Sequence, residues 1–209
     1  WGDCENPETL GSLVLAALAC YDLAVELETP FISGKDSLNN EFSYVTADGE
    51  KQTIAIPATL LISAMGQVES VDQCVTMDLK KAGNVLYLVG ITRDELGGSH
   101  YAVTQGRTGG RVPQVHVATA KATFLAIHDA IKANLVQACH DLSEGGLAVA
   151  AAEMAFAGSL GATLHLARVP HDDLVSHPVS LLFSESNSRF LCEVAPDRAA
   201  DFEAIFDNI

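Results

Sequence analysis

The chain has 209 residues, of which 48% are hydrophobic and 19% charged, and its formal net charge is −15. That composition supports a packed core in one large or two small domains and gives no sign of disorder. The acidic balance argues against nucleic-acid and anionic-membrane surfaces, which need basic patches. It leaves room for a small phosphorylated ligand held by a few backbone N–H groups and one cation.

The five cysteines, Cys4, Cys20, Cys74, Cys139 and Cys192, are odd in number and widely spaced, with no C-x-x-C pair. A disulfide framework or zinc site is not expected, and a reducing, cytoplasmic setting is the simplest reading. No run reaches about 18 consecutive apolar residues, so no membrane span is expected. The chain opens Trp1-Gly2-Asp3-Cys4 without Met or a signal-like segment, and both ends read as cuts in a longer protein.

Residues 7–28 read as a helix, with Asn6 as N-cap, Pro7 at the first helical position, and Leu10, Leu13, Val14, Ala17, Leu18, Tyr21 and Val25 on one apolar face. Pro30 precedes a short strand, Phe31-Ile32-Ser33, and then Gly34 to Asn40 are turn formers and charges. Residues 42–46 read as a strand, Asp48-Gly49 as a hairpin turn, and 58–65 as a buried strand. A polar connector, 66–82, leads into a new unit. There Val85-Leu86-Tyr87-Leu88-Val89 has the continuous apolar pattern of a strand covered on both faces. A glycine-rich region follows over 92–111, then a helix over 119–135 and a short strand over 136–140. An Ala-rich helix over 147–156 ends at Gly158, and strands are expected at 162–166 and 189–194. Pro196-Asp197 opens a last helix with Phe202, Ile205 and Phe206 inward. Helices alternating with strands give an α/β or α+β fold with a change of unit near residue 70.

Three stretches carry candidate chemistry. Gly34-Lys35-Asp36-Ser37 is not a Walker A loop, because Thr29 stands where that motif needs glycine. It could still bind phosphate through a close backbone, a lysine charge and a hydroxyl, or be a solvated turn. His140-Asp141-Leu142-Ser143-Glu144-Gly145-Gly146 runs from a strand end into a helix. Asp141 could hold Mg²⁺ and Ser143 contact phosphate, or both could be helix caps; the two readings stay open. In Phe183-Ser184-Glu185-Ser186-Asn187-Ser188-Arg189, Glu185 and Arg189 could clamp a ligand or form a strand-end salt bridge. Gly97-Gly98-Ser99-His100 reads as a loop turn rather than an anion site.

Four strings in order, "NPETLGSLVLAALACYDLAVELETPFISGKDSLNNE", "DELGGSHY", "HDLSEGGLAVAAAEMAFAG" and "LFSESNSRFLCEV", are more specific together than any one alone. Together they resemble the C-terminal half of the phosphoribosylformylglycinamidine synthase family, within a superfamily shared with aminoimidazole ribonucleotide synthetase. The resemblance covers essentially the whole chain. It implies the tail of a barrel-forming domain over residues 1–70 and a truncated synthetase C-terminal-like α/β domain over 71–209. It also implies an ATP-dependent carbon–nitrogen ligase, in which the amide oxygen of formylglycinamide ribonucleotide is phosphorylated and displaced by ammonia from glutamine.

Carried over by the resemblance, Gly34, Lys35 and Ser143 contact nucleotide (ATP or ADP), and Asp141 ligates Mg²⁺. Lys35 stands where some members have a metal-linked Asn, so its charge is expected on phosphate directly. Ser37, Glu185, Ser186 and Asn187 contact substrate, the last three through the family's internal pseudo-symmetry. In long-chain members the Asp141 and Ser143 positions belong to an auxiliary nucleotide site. The family's catalytic histidine, most of its ATP ligands and its glutaminase cysteine have no counterpart here, so no catalytic residue is assigned. The chain is expected to be inactive alone and to need the N-terminal half of the enzyme and a glutaminase domain or subunit. The alternatives are a non-catalytic scaffold half, or a related synthetase acting on another substrate.

Overall fold

In the computed structural model, which describes residues 1–207, the chain divides into two compact units, Trp1–Gln67 and Val68–Ile209. In the first, α1 (Pro7–Glu26) starts where the sequence places it. The Asn6 side chain accepts the backbone N–H groups of Glu8 and Thr9, and Pro7 fills a position whose N–H would lack a partner. β1 (Glu41–Val45) and β2 (Lys51–Ala55) form an antiparallel hairpin, closed by the Thr46 N–H donating to Glu50 O and by Gly49 at φ +83°.

No residue of α1, β1 or β2 is buried within this unit. Leu15 of α1 is 69% exposed and Phe42 of β1 66%. The strands expected at 31–33 and 58–65 do not form, and Ile32 and Leu61 are exposed. An apolar run becomes a strand only when a neighbour completes its ladder, and this unit supplies none for either segment. Among the described residues, α1 is the one helix long and apolar enough to cross a bilayer by length and composition, with an 18-residue window of mean hydropathy 1.5.

The second unit carries the core. β3 (Val85–Val89), β4 (Val136–Asp141) and β5 (Phe190–Val194) form an antiparallel sheet in the order β3-β5-β4, so the fold is α+β. β5 is central and buried from Leu191 to Val194, as its apolar pattern requires. One face is covered by α4 (Gly146–Ala157), with Leu147, Ala150, Ala151 and Met154 against Ala138 and Leu191. The other is covered by α3 (Val117–Lys132) and α6 (Ala199–Ile205), where Ile127, Ala130 and Phe202 meet Val136, Cys192 and Val194.

Two short helices were not legible in the sequence, α2 (His100–Thr104) and α5 (Pro178–Phe183); both are too short for a periodic pattern to show. Residues 162–165 form no strand and lead into a 3₁₀ turn, Leu166–Arg168. In the sheet, Glu193 is 1% exposed, yet its carboxylate accepts the N–H groups of Lys80 and Lys81 at 2.7 and 2.9 Å and the Asn84 amide at 2.6 Å. These bonds fasten the connector before β3 to the sheet and satisfy a charge that burial would otherwise penalise.

Phe202 is 1% exposed and lies 4.9 Å, centroid to centroid, from both Tyr87 and Phe206. Phe202→Ala is therefore expected to cost about 3–5 kcal/mol, read from the urea midpoint. The Tyr87 hydroxyl donates to Glu203 Oε1, and burial, with that carboxylate second, pushes its phenol up to about 12. A phenol that is harder to ionise in the fold stabilises it fully below the unfolded value near 10. That stability drains away as pH rises from about 10 through about 12. Ultraviolet titration should find one late-ionising tyrosine, absent in Tyr87→Phe, whose stability should fall less over that window.

Candidate functional site

A cavity of about 390 Å³ opens where β4 ends, lined by Asp141, Ser143, Glu144, Glu185, Asn187 and Phe190, among others. Its position follows from the ladder: Asp141 pairs with Phe190, the last rung before both strands turn away. The chain then crosses Leu142, whose N–H donates to Arg189 O, and enters α4 through two left-handed glycines, Gly145 at φ +78° and Gly146 at φ +60°. A Cβ on Gly146 would lie 2.4 Å from Ser184 O, so only glycine lets α4 start against the 182–184 backbone.

Segment 184–189 is held from inside. Arg189 is 1% exposed and donates from Nε to Ser186 O (2.9 Å), from Nη1 to Thr92 Oγ1 (3.0 Å) and from Nη2 to Ser184 O. Burial pushes the guanidinium down to about 10, against the pull of Glu95, so it stays cationic near neutral pH. Of the two readings for Glu185 and Arg189, the strand-end salt bridge does not form, because Arg189 is spent on the fold. Instead Glu185 Oε1 accepts the backbone N–H of His100 and of Gly145, both at 2.9 Å. One carboxylate thus sits at the starts of α2 and α4, where oriented N–H groups favour negative charge. It occupies the place an anion would take at the Gly97-Gly98-Ser99-His100 turn, whose Ser99 caps α2 by accepting the Ala102 N–H.

The remaining sequence-predicted residues divide clearly. Asp141 is exposed on the cavity wall, its Oδ1 3.2 Å from His140 Nδ1, while His140 Nε2 lies 3.0 Å from Glu153 Oε2. Ser143 is exposed and Asn187 half-buried at the same cavity. Ser186 is not on its wall: it is fully buried, its hydroxyl accepting the Arg93 N–H at 3.0 Å. Gly34, Lys35 and Ser37 lie in the first unit, in an exposed stretch without regular structure, and Lys35 Nζ donates to Asp36 O at 2.6 Å.

Sequence reasoning missed the apolar wall, Pro113, Phe124 and Phe190, with the two rings edge to face at 5.9 Å. Phe124 lies on α3 and is 41% exposed, so it faces the cavity rather than the core. A larger hollow of about 740 Å³ runs beside β3 and holds none of the predicted residues.

Among the described residues no three His, Cys, Asp or Glu side chains converge to hold a metal. Asp141, exposed and beside the α4 N-terminus, fits the mode in which Mg²⁺ takes one or two carboxylates and completes its shell with phosphate oxygens and water. It does not fit a dedicated protein cage.

The family described as AIR synthase related protein, C-terminal domain, matches residues 81–208. The chain belongs to that family. It is 35% identical, over 94% of its length, to the phosphoribosylformylglycinamidine synthase subunit PurL of Alkaliphilus metalliredigens, of which it covers 25%. It is similar in fold to Thermotoga maritima PurL complexed with FGAR, at a TM-score of 0.63 and 21% identity, over 88% of this chain and 29% of that one. The same enzyme complexed with ATP gives a TM-score of 0.59 at 21% identity, over 88% of this chain and 27% of that one. The chain thus spans about a quarter of the length of the curated relative it matches. The resemblance to PurL and the mixed helix-and-sheet fold read from the sequence both hold.

Glu185→Ala should leave the His100 and Gly145 N–H groups without their carboxylate and cost about 1–3 kcal/mol. Amide hydrogen exchange should accelerate at the first turns of α2 and α4 in that variant and stay unchanged in β5.

Proposed function

We propose that this chain is a nucleotide- and substrate-binding half of the purine-biosynthesis ligase that makes formylglycinamidine ribonucleotide. The parent reaction takes formylglycinamide ribonucleotide, ATP and glutamine, or ammonia derived from it. The observation that carries this reading is the convergence of Asp141, Ser143, Glu185 and Asn187, from two separate motifs, on one cavity at a helix start. There the Ser143 hydroxyl and the α4 N-terminus would face nucleotide phosphate, and Asp141 would take Mg²⁺. Bound Mg²⁺ would neutralise phosphate charge. Asn187 and Glu185 would contact substrate; in the first unit, taken by itself, Gly34 and Lys35 would contact nucleotide and Ser37 substrate. Ser186 acts from behind, by holding the Arg93 backbone.

The same reading supplies a partner for the first unit. Its exposed apolar side chains on α1 and the hairpin would be covered by the N-terminal half of the enzyme, as one wall of a barrel. Residues 1–70 would then belong to the barrel-forming domain and 71–209 to the synthetase C-terminal-like domain. The relative's description as a subunit supports a glutaminase acting on a separate domain or chain. Five free cysteines support a reducing, cytoplasmic setting. The isolated chain, holding no catalytic residue, would not turn over.

A second reading, a scaffold half that binds no nucleotide by itself, is favoured by the cavity's charge. Asp141, Glu144 and Glu185 line it, while Arg189, the cation among its described lining residues, bonds from Nε, Nη1 and Nη2 inside the fold. Calorimetric titration of the chain with ATP and ADP, with and without Mg²⁺, separates the two. The binding reading expects Mg²⁺-dependent affinity that Asp141→Asn weakens about tenfold or more, equivalent to about 1.4 kcal/mol. No binding by a folded sample would leave the scaffold.

A further inference from the structure

Cys139 and Cys192 are 53 positions apart in sequence, and their sulfurs lie 3.7 Å apart. They are direct partners across β4 and β5. The Cys139 N–H points away from β5, donating to Thr76 O at 3.2 Å, whereas the Leu142 N–H bonds Arg189 O across the ladder. By alternation, Cys139 and Cys192 form a non-hydrogen-bonded pair, the kind whose Cα atoms stand about 4.5 Å apart. That falls inside the span of about 4.4–6.8 Å that a disulfide bridges. Cys192 is fully buried and Cys139 partly exposed, so a solution reagent meets only Cys139 while ring closure happens inside. The next rung on the same face is Asp141 opposite Phe190, both lining the cavity about 7 Å along the strand.

We propose that Cys139 and Cys192 are a reversible redox site, closed by a low-molecular-weight disulfide into a cross-strand bridge that reshapes the adjoining cavity wall. Cys139 sulfur attacks one sulfur of the reagent, forming a mixed disulfide and expelling the first thiolate, which takes the Cys139 proton. Cys192 sulfur then attacks Cys139 sulfur, expelling the second thiolate, which takes the Cys192 proton. Two protein thiols are oxidised and one reagent disulfide is reduced to two thiols. Drawing the sulfurs from 3.7 Å to about 2.05 Å tightens β4 on β5 next to Asp141. This holds whatever the cavity binds.

The test treats the folded 209-residue chain with oxidised glutathione, blocks the remaining thiols and maps the unreduced peptides by mass spectrometry. The expected result is a peptide linking Cys139 to Cys192, loss of those two thiols, and reversal by dithiothreitol. Amide exchange at 141–143 should change on oxidation and return on reduction. Cys192→Ser should trap the glutathione adduct on Cys139; if that variant does not fold, the map of the unsubstituted chain still decides. A stable adduct on Cys139 with Cys192 still reduced would overturn the proposal, as would two untouched thiols beside a modified, exposed Cys74. A bridge that leaves exchange at 141–143 unchanged would overturn its coupling to the cavity.

Discussion

Arg189 sits where β5 begins, and its guanidinium reaches two backbone carbonyls and the Thr92 hydroxyl from a position 1% exposed. A buried guanidinium with an unmet donor costs several kcal/mol, so segment 184–189 is held in the one path that satisfies it. That path sets Glu185 against the starts of α2 and α4 and brings Ser184 O close to Gly146. The cavity is therefore a consequence of how one charge is solvated by protein. Glu95 faces the same region, 1% exposed, with Oε1 accepting the Gln114 N–H at 3.1 Å and Oε2 without a hydrogen-bond partner. Its attraction to Arg189 through a low-dielectric interior offsets part of the desolvation of both.

The cavity's chemistry is unbalanced in a useful way. Its walls carry carboxylates, a hydroxyl and a helix start, with two aromatic rings opposite. An anionic ligand entering alone would meet those carboxylates, and the Gly145 N–H at the α4 start already donates to Glu185. Among the described residues no metal cluster forms, and Asp141 and Glu144 are the exposed carboxylates on this wall.

The two units differ in what stabilises them. The second buries two apolar clusters on opposite faces of its sheet. The first buries no residue of its helix or hairpin, although its sequence is as apolar. A surface of that kind is stable when another surface removes it from water, the burial of apolar area being the main favourable term.

The sequence by itself determined the local rules: the Asn6-Pro7 start of α1, the hairpin turn at Asp48-Gly49, the apolar β3, the Gly-Gly entry to α4 and the Pro196 turn before α6. Each depends on φ/ψ preference, capping or a short periodic pattern, which act within a few residues. The four motif strings were likewise enough to point to the family. Whether 31–33 and 58–65 become strands, and whether Phe124 faces core or cavity, was decided by tertiary structure. So was the burial of Ser186 beside exposed Asn187, and the meeting of Cys139 with Cys192. These outcomes turn on which distant backbone completes a ladder and which donor satisfies a buried charge. Such partners lie tens of residues away, beyond the reach of any local pattern.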